Sequence, residues 1–177
     1  IRTNREDPNG YNRRGILYMQ QKRFDEAEKD FDTAILNDST YLLSYFNRAL
    51  VYSDTNRPML ALGDFDRVIE LDSTNSLTYF NRAIVRSQIC HYNRALEDYD
   101  RVAQYSPNNV LVYYNRAGLY SQTGEVEKAI ADYTPAIKLY PDFAEGYYNR
   151  ANLFAISGKL PEAYDDYTRA IELNPNF

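Results

Sequence analysis

The sequence predicts an all-α chain of five antiparallel helix pairs, and three observations predict it. Asn47, Asn81, Asn115 and Asn149 each stand 34 residues apart. Around them one phrase recurs, as "YFNRA" at 45–49 and 79–83 and as "YYNRA" at 113–117 and 147–151. Within each period, small and aromatic residues return at spacings of three and four, the spacing of one helix face. A fixed period of this length marks a stacked repeat architecture.

Extending the register gives repeats 8–41, 42–75, 76–109, 110–143 and 144–177, a single repeat domain after a short flank at 1–7. In the first half of each repeat, position four is Tyr (Tyr11, Tyr45, Tyr79, Tyr113, Tyr147) and position eight is tiny (Gly15, Ala49, Ala83, Ala117, Ala151). Position eleven is aromatic in four repeats and Arg86 in the third. These three positions define a first helix. Next comes a turn signal, Gly124 and Gly158, where glycine supplies the left-handed backbone that ends a helix. Cys90 stands at the equivalent place and is expected to adopt the same backbone at some cost. In the second half, position twenty is Ala (Ala27, Ala61, Ala95, Ala129, Ala163) and position twenty-four is aromatic (Phe31, Phe65, Tyr99, Tyr133, Tyr167). Position twenty-seven is Ala or Val. That is a second helix, closed by Pro107, Pro141 and Pro175 in the last three repeats. Pro58 and Pro161 fall near helix starts, where proline is tolerated. Pro135 falls inside a second helix and is expected to kink or loosen it. One helix pair cannot bury its own apolar face, so neighbours must stack.

The balance of residues narrows the function classes. A net charge of −5 with scattered Lys and Arg argues against nucleic-acid binding, which draws on clustered basic residues. No apolar run approaches the ~18 residues that span a bilayer, and no targeting segment is evident, so location is left open. An opening at "IRTNRED" reads as a piece of a longer chain. The single Cys90 beside the single His91 makes a poor metal site, and no metal or cofactor is expected. No glycine-rich phosphate loop or converging catalytic group appears, so an enzyme is not expected. The 18 tyrosines and absent tryptophan show a demand for flat side chains with a polar tip.

With these positions in place the chain resembles the tetratricopeptide repeat family. The family pattern, Trp-x2-Leu-Gly-x2-Tyr, then Ala-x3-Phe, then Pro, is met in the fifth repeat by Tyr147, Arg150, Ala151, Phe154, Ala163, Tyr167 and Pro175. The resemblance covers 8–177 and implies a right-handed superhelical solenoid of 34-residue units. Two departures recur, Tyr for the leading Trp and Arg for the usual buried Leu. Those arginines (Arg14, Arg48, Arg82, Arg116, Arg150) need partners if half-buried. Position twenty-three offers Asp30, Asp64, Asp98, Asp132 and Asp166, so each Arg is expected to fork onto an Asp of its own or the preceding repeat. An anion-binding ladder is the lesser reading, because five carboxylates already neutralise it.

The resemblance also implies that first helices line a concave groove where ligands lie. It would present Leu43 and Leu77 at position two, Phe46, Phe80, Tyr114 and Tyr148 at position five, and Asn47, Asn81, Asn115 and Asn149 at position six. Two readings of the apolar residues stay open: packing between neighbouring first helices, or a surface for a peptide. Two readings of the asparagines also stay open: a ladder pairing with a peptide backbone, or amides bonded to their own helix or a neighbouring carbonyl. A carboxylate clamp of the chaperone-binding members is not expected, since position two carries no Lys and position five is aromatic or Asn. The expected function is a protein-interaction scaffold for a partner's peptide segment. The alternative is a structural module that self-associates through exposed terminal repeat faces, because "NPNF" ends the fifth repeat where another would begin.

Overall fold

The computed structural model describes residues 7–176, and among them the chain forms ten α-helices and no strand. They are α1 (Pro8–Gln20), α2 (Phe24–Asn37), α3 (Leu42–Asp54), α4 (Pro58–Leu71), α5 (Ser76–Gln88), α6 (Tyr92–Tyr105), α7 (Val110–Gln122), α8 (Val126–Leu139), α9 (Ala144–Ile156) and α10 (Leu160–Leu173). Odd-numbered helices have 13 residues and even-numbered ones 14, so the five expected helix pairs are present in register. Residues 1–6 of the expected flank and Phe177 lie outside the described residues. The chain divides into two compact units, one up to Ala95 and one from Leu96, with the boundary inside α6. In the first unit α1 pairs with α2 and α3 with α4, while α2 packs on α3 and α4 on α5. In the second, α7 pairs with α8, α9 with α10, and α8 packs on α9.

Each first helix stops in the same way. Lys22, Asn56, Cys90, Gly124 and Gly158, all at position fifteen, have φ of 56°, 56°, 61°, 81° and 74°. The following N–H then reaches back to the carbonyl of position eleven, as Arg57 N to Tyr52 O at 2.7 Å and Lys159 N to Phe154 O at 2.8 Å. A left-handed residue with this reach-back bond is the standard helix-ending motif. Only two repeats use the glycine that the motif favours; the other three hold an L side chain in a backbone that costs it about 1–2 kcal/mol.

The breaks between repeats use two chemistries. In the first two repeats Asp38 and Asp72 take extended backbone, and their Oδ1 atoms accept from the N–H groups of Thr40 at 2.9 Å and Thr74 at 3.0 Å. In the last three, proline stands at the next position and cannot continue the helix. The position-four tyrosines then lock the break: the hydroxyls of Tyr45, Tyr79 and Tyr113 donate to the carbonyls of Ser39, Ser73 and Pro107 at 3.3, 3.3 and 3.0 Å. That bond needs a phenol, which neither Phe nor Trp supplies at that place.

The core follows from the small residues. Ala27, Ala61, Ala95 and Ala129 are fully buried, which lets paired helices approach and presses Phe31 and Phe65 to zero exposure. Around Gly15 the approach is so close that a Cβ there would stand 2.6 Å from the Phe31 ring. Position ten supplies a further core residue. Val51 packs into the first repeat beside Ala27 and Phe31, Val85 into the second beside Phe65, and Leu153 into the fourth beside Tyr133. Leu17 holds the same position in the first repeat and is 55% exposed. Helix α8 runs through Pro135 without interruption, and the Thr134 hydroxyl donates to Ile130 O at 2.9 Å one turn back.

Candidate functional site

The recurring arginines take the expected fork. Arg14, Arg48, Arg116 and Arg150 each donate through Nε and Nη2 to the position-twenty-three aspartate of their own repeat, Asp30, Asp64, Asp132 and Asp166, at 2.6 to 2.8 Å. The third nitrogen, Nη1, reaches the preceding repeat. It donates from Arg48 to Asp32, from Arg82 to Asp66 and from Arg116 to Asp100, each at 2.6 Å, and from Arg150 to the Thr134 hydroxyl at 3.0 Å. In Arg48 and Arg116 both expected partners, own repeat and preceding repeat, are therefore engaged at once, through two different aspartate positions. Position twenty-five was not singled out in the sequence, although its signal is present as "DFD" at 30–32 and 64–66 and "DYD" at 98–100.

Burial sharpens these clasps. The side chains of Arg48, Asp64, Arg116 and Asp132 are 18, 10, 14 and 10% exposed, whereas Asp32 and Asp100 are about half open. The Asp132 bonds, against the penalty of burial, hold the Arg116 guanidinium pKa above its ordinary value. Burial pushes the Asp64 carboxyl above its usual range while the Arg48 bonds pull it back. Burial, with Glu28 and Asp64 nearby and Arg48 opposing, pushes the Tyr52 phenol up to about 12.

The asparagines split into two groups. Asn81 Nδ2 donates to Leu77 O and Asn115 Nδ2 to Leu111 O, each at 2.8 Å, on their own helices. Asn47 and Asn149 instead reach back one repeat to position five, Asn47 Nδ2 to Asn12 Oδ1 at 3.0 Å and Asn149 Nδ2 to the Tyr114 hydroxyl at 3.2 Å. Asn12, in place of the usual aromatic, is buried together with Ser44, whose hydroxyl also donates to Asn12 Oδ1 at 3.2 Å. Positions five and six of successive first helices are thus neighbours within each compact unit.

The position-five aromatics lean inward. Phe46 packs on Phe65 with ring centres 5.9 Å apart, Tyr114 on Tyr133 at 5.8 Å and on Phe143 at 4.8 Å, and Tyr148 on Tyr167 at 5.9 Å. Phe46, Phe80 and Tyr114 are half-buried, and Tyr148 is 39% exposed. Leu43, Leu77 and Leu111 at position two are the open apolar groups, at 49, 58 and 52%. Burial beside Tyr114 pushes the Tyr133 phenol up to about 12, with a hydrogen bond from Asn149 opposing. Among the described residues no His, Cys, Asp and Glu cluster of three or more could hold a metal ion, and no helix is long and apolar enough to cross a membrane. On α10, Leu160, Tyr164 and Ile171 are 65, 71 and 52% exposed.

Comparison with known proteins agrees with this fold. The family model described as Tetratricopeptide repeat matches residues 8–41 and again 144–177. A second of that description matches 80–134, and one described as TPR repeat matches 119–156. No curated protein matches the chain. Among solved structures, one of MamA superposes with a TM-score of 0.87 at 21% identity, over 92% of this chain and 95% of that one. A MamA fragment from Desulfovibrio magneticus RS-1 gives 0.88 at 16% identity, over 97% of each chain. YrrB, described as a TPR protein with an unusual peptide-binding site, gives 0.83 at 19%, over 97% of this chain and 89% of that one. Identities this low show a shared fold. Five helix pairs in one register, with family matches over 8–41 and 80–177, place the conclusion beyond composition: the chain belongs to the tetratricopeptide repeat family.

Proposed function

We propose that the chain is a protein-interaction scaffold whose first helices hold a peptide segment of a partner. The observation carrying this reading is that in each compact unit a position-six amide, Asn47 in one and Asn149 in the other, lies against position five of the repeat before it, in line with the amides of Asn81 and Asn115 at the same register. Open leucines, Leu43 and Leu77, stand beside that row. In each of the four asparagines one N–H of Nδ2 is engaged within the protein, so the amide oxygen and the second N–H are the groups assigned to a ligand backbone. Phe46, Phe80, Tyr114 and Tyr148 contribute the part of each ring left open, since Phe46, Tyr114 and Tyr148 also pack on an aromatic of the second helix of their own repeat. YrrB, a solved structure of the same fold, is described as having a peptide-binding site, which lends the reading an analogy. No catalysis is assigned to the chain.

A peptide-array screen tests this. Binding to the parent chain that is lost from the Asn81→Ala, Asn115→Ala double variant supports the amide row. Binding that survives unchanged discards the row, and an array with no bound peptide discards the scaffold reading itself.

A further inference from the structure

We infer that the face made by the first helices α3 and α5 takes an uncharged segment with large apolar side chains and excludes acidic and basic ones. This rests on the peptide reading above and narrows its ligand.

The argument begins with where the charges of α3 and α5 go. These two helices carry only four charged residues, Arg48, Asp54, Arg82 and Arg86. Arg48 is clasped by Asp64 and Asp32, and Arg82 donates to Asp66 at 2.6 Å. Arg86 donates to the Arg94 carbonyl at 3.2 Å, with Asp66 4.0 Å from its other nitrogen. All three cations are drawn toward the second helices. An acidic ligand would have to compete with carboxylates already seated on them. A basic ligand would find only Asp54, at the far end of α3. Burying an unmatched ligand charge against this face is unfavourable.

What the face does offer is apolar or neutral. Leu43 and Leu77 are 49 and 58% exposed, Phe46 and Phe80 are half-open, and Asn47 and Asn81 lie between them. Leu50 and Ile84 extend the strip one turn further along each helix. In the unit from Leu96 the same register is more polar, with the phenols of Tyr114 and Tyr148, Gly118 and Asn152, and Glu145 at position two. The apolar part of the ligand is therefore assigned to α3 and α5. Discrimination of this kind comes from the charges a face fails to match as much as from the contacts it makes.

Fluorescence anisotropy with three labelled peptides of equal length tests the inference. One carries Leu and Phe among Ser and Gly, and the others carry Asp or Lys in place of the Ser. The neutral peptide is expected to bind at least about tenfold tighter than either charged one. Its Kd should move by less than about twofold between low and high ionic strength, since screening acts only on charge pairs. Leu77→Lys should weaken it at least about tenfold, while Leu36→Lys on α2, 82% exposed and off this face, should leave it unchanged. A charged peptide that binds more tightly, or a Kd that weakens with salt, overturns the neutral ligand and leaves the peptide reading standing. Light scattering in which copies associate, and separate on Leu77→Lys, overturns it in favour of a second copy. If no peptide binding responds to Leu77→Lys or Asn81→Ala, both readings fall.

Discussion

Arg48 holds Asp64 through two parallel bonds of 2.7 Å, Nε to Oδ2 and Nη2 to Oδ1, from the first helix of a repeat to its second. Both side chains are more than four-fifths buried. Removing one member of such a pair strands the other, which costs about 3–5 kcal/mol, whereas replacing both with apolar groups is often neutral. Asp64→Ala is therefore expected to lower stability by about 3 kcal/mol. Arg48→Leu with Asp64→Leu should return to within about 1 kcal/mol of the parent. Urea unfolding of the two singles and the double decides it, and equal losses in the single and double variants would falsify the clasp as the source.

Thr134 occupies the place that Asp32, Asp66 and Asp100 hold in the repeats before it. Its hydroxyl accepts from Arg150 Nη1 at 3.0 Å, where a carboxylate accepts at 2.6 Å. Thr134→Asp should strengthen that contact. Because the equivalent aspartates are half-exposed, the gain should be modest, about 0.5 kcal/mol, and should shrink as salt is raised. A salt-independent change in melting temperature would show some other cause.

At Cys90 the backbone has φ of 61°, the conformation that Gly124 and Gly158 adopt with no Cβ penalty. Cys90→Gly is expected to stabilise by about 1 kcal/mol once glycine's larger unfolded-state entropy is subtracted. Cys90→Ala keeps the Cβ and should change little. Thermal melts of both variants separate backbone strain from any role of the thiol.

Position ten gives a paired comparison. Leu153, 4% exposed, packs into the core of the preceding repeat, while Leu17 is 55% exposed. Leu153→Ala should cost about 2–4 kcal/mol and Leu17→Ala well under 1 kcal/mol. Denaturant titrations measure both.

Tyr52 and Tyr133 both have phenols pushed up to about 12 from an ordinary value near 10. A folded-state pKa above the unfolded one favours folding while the group stays protonated. Their contribution is complete below pH ~10 and is lost as pH climbs toward ~12. Helical circular dichroism should therefore fall between those limits, in step with the late part of the tyrosinate absorbance. Tyr52→Phe, which keeps the ring and removes the ionisation, should move the loss to higher pH. A variant that melts at the same pH as the parent counts against this assignment.

Much of the fold was legible because repetition turns a weak pattern into five measurements of the same position. Ala at eight and twenty, with an aromatic at twenty-four, locates the helix pair without coordinates, and the left-handed Cys90 follows from its alignment with Gly124. The site was less legible. Spacing says which residues share a helix face, but not which rotamer each takes. The close helix approach that Ala permits draws Phe46 and Tyr114 onto Phe65 and Tyr133, ring contacts that spacing alone does not show. The asparagine amides divide for a similar reason. Asn47 reaches back because Asn12 offers an acceptor there, whereas Asn81 has Phe46 one repeat earlier and bonds its own helix instead. The second aspartate held by Arg48 and Arg116 was visible as Asp-aromatic-Asp, but reading it required knowing that successive second helices flank one guanidinium.

Arg48 lies sixteen residues after Asp32 and sixteen before Asp64. Such an arrangement is indifferent to how many units lie in a row. Excising residues 42–75 would bring Arg82 into the seat that Arg48 now fills, facing Asp32 on one side and its own second helix on the other. A deletion one residue longer or shorter would leave the guanidinium facing the wrong side chain. The clasp therefore acts as a ruler of length: adding or removing a whole period keeps a guanidinium between two carboxylates, and a fraction of a period does not.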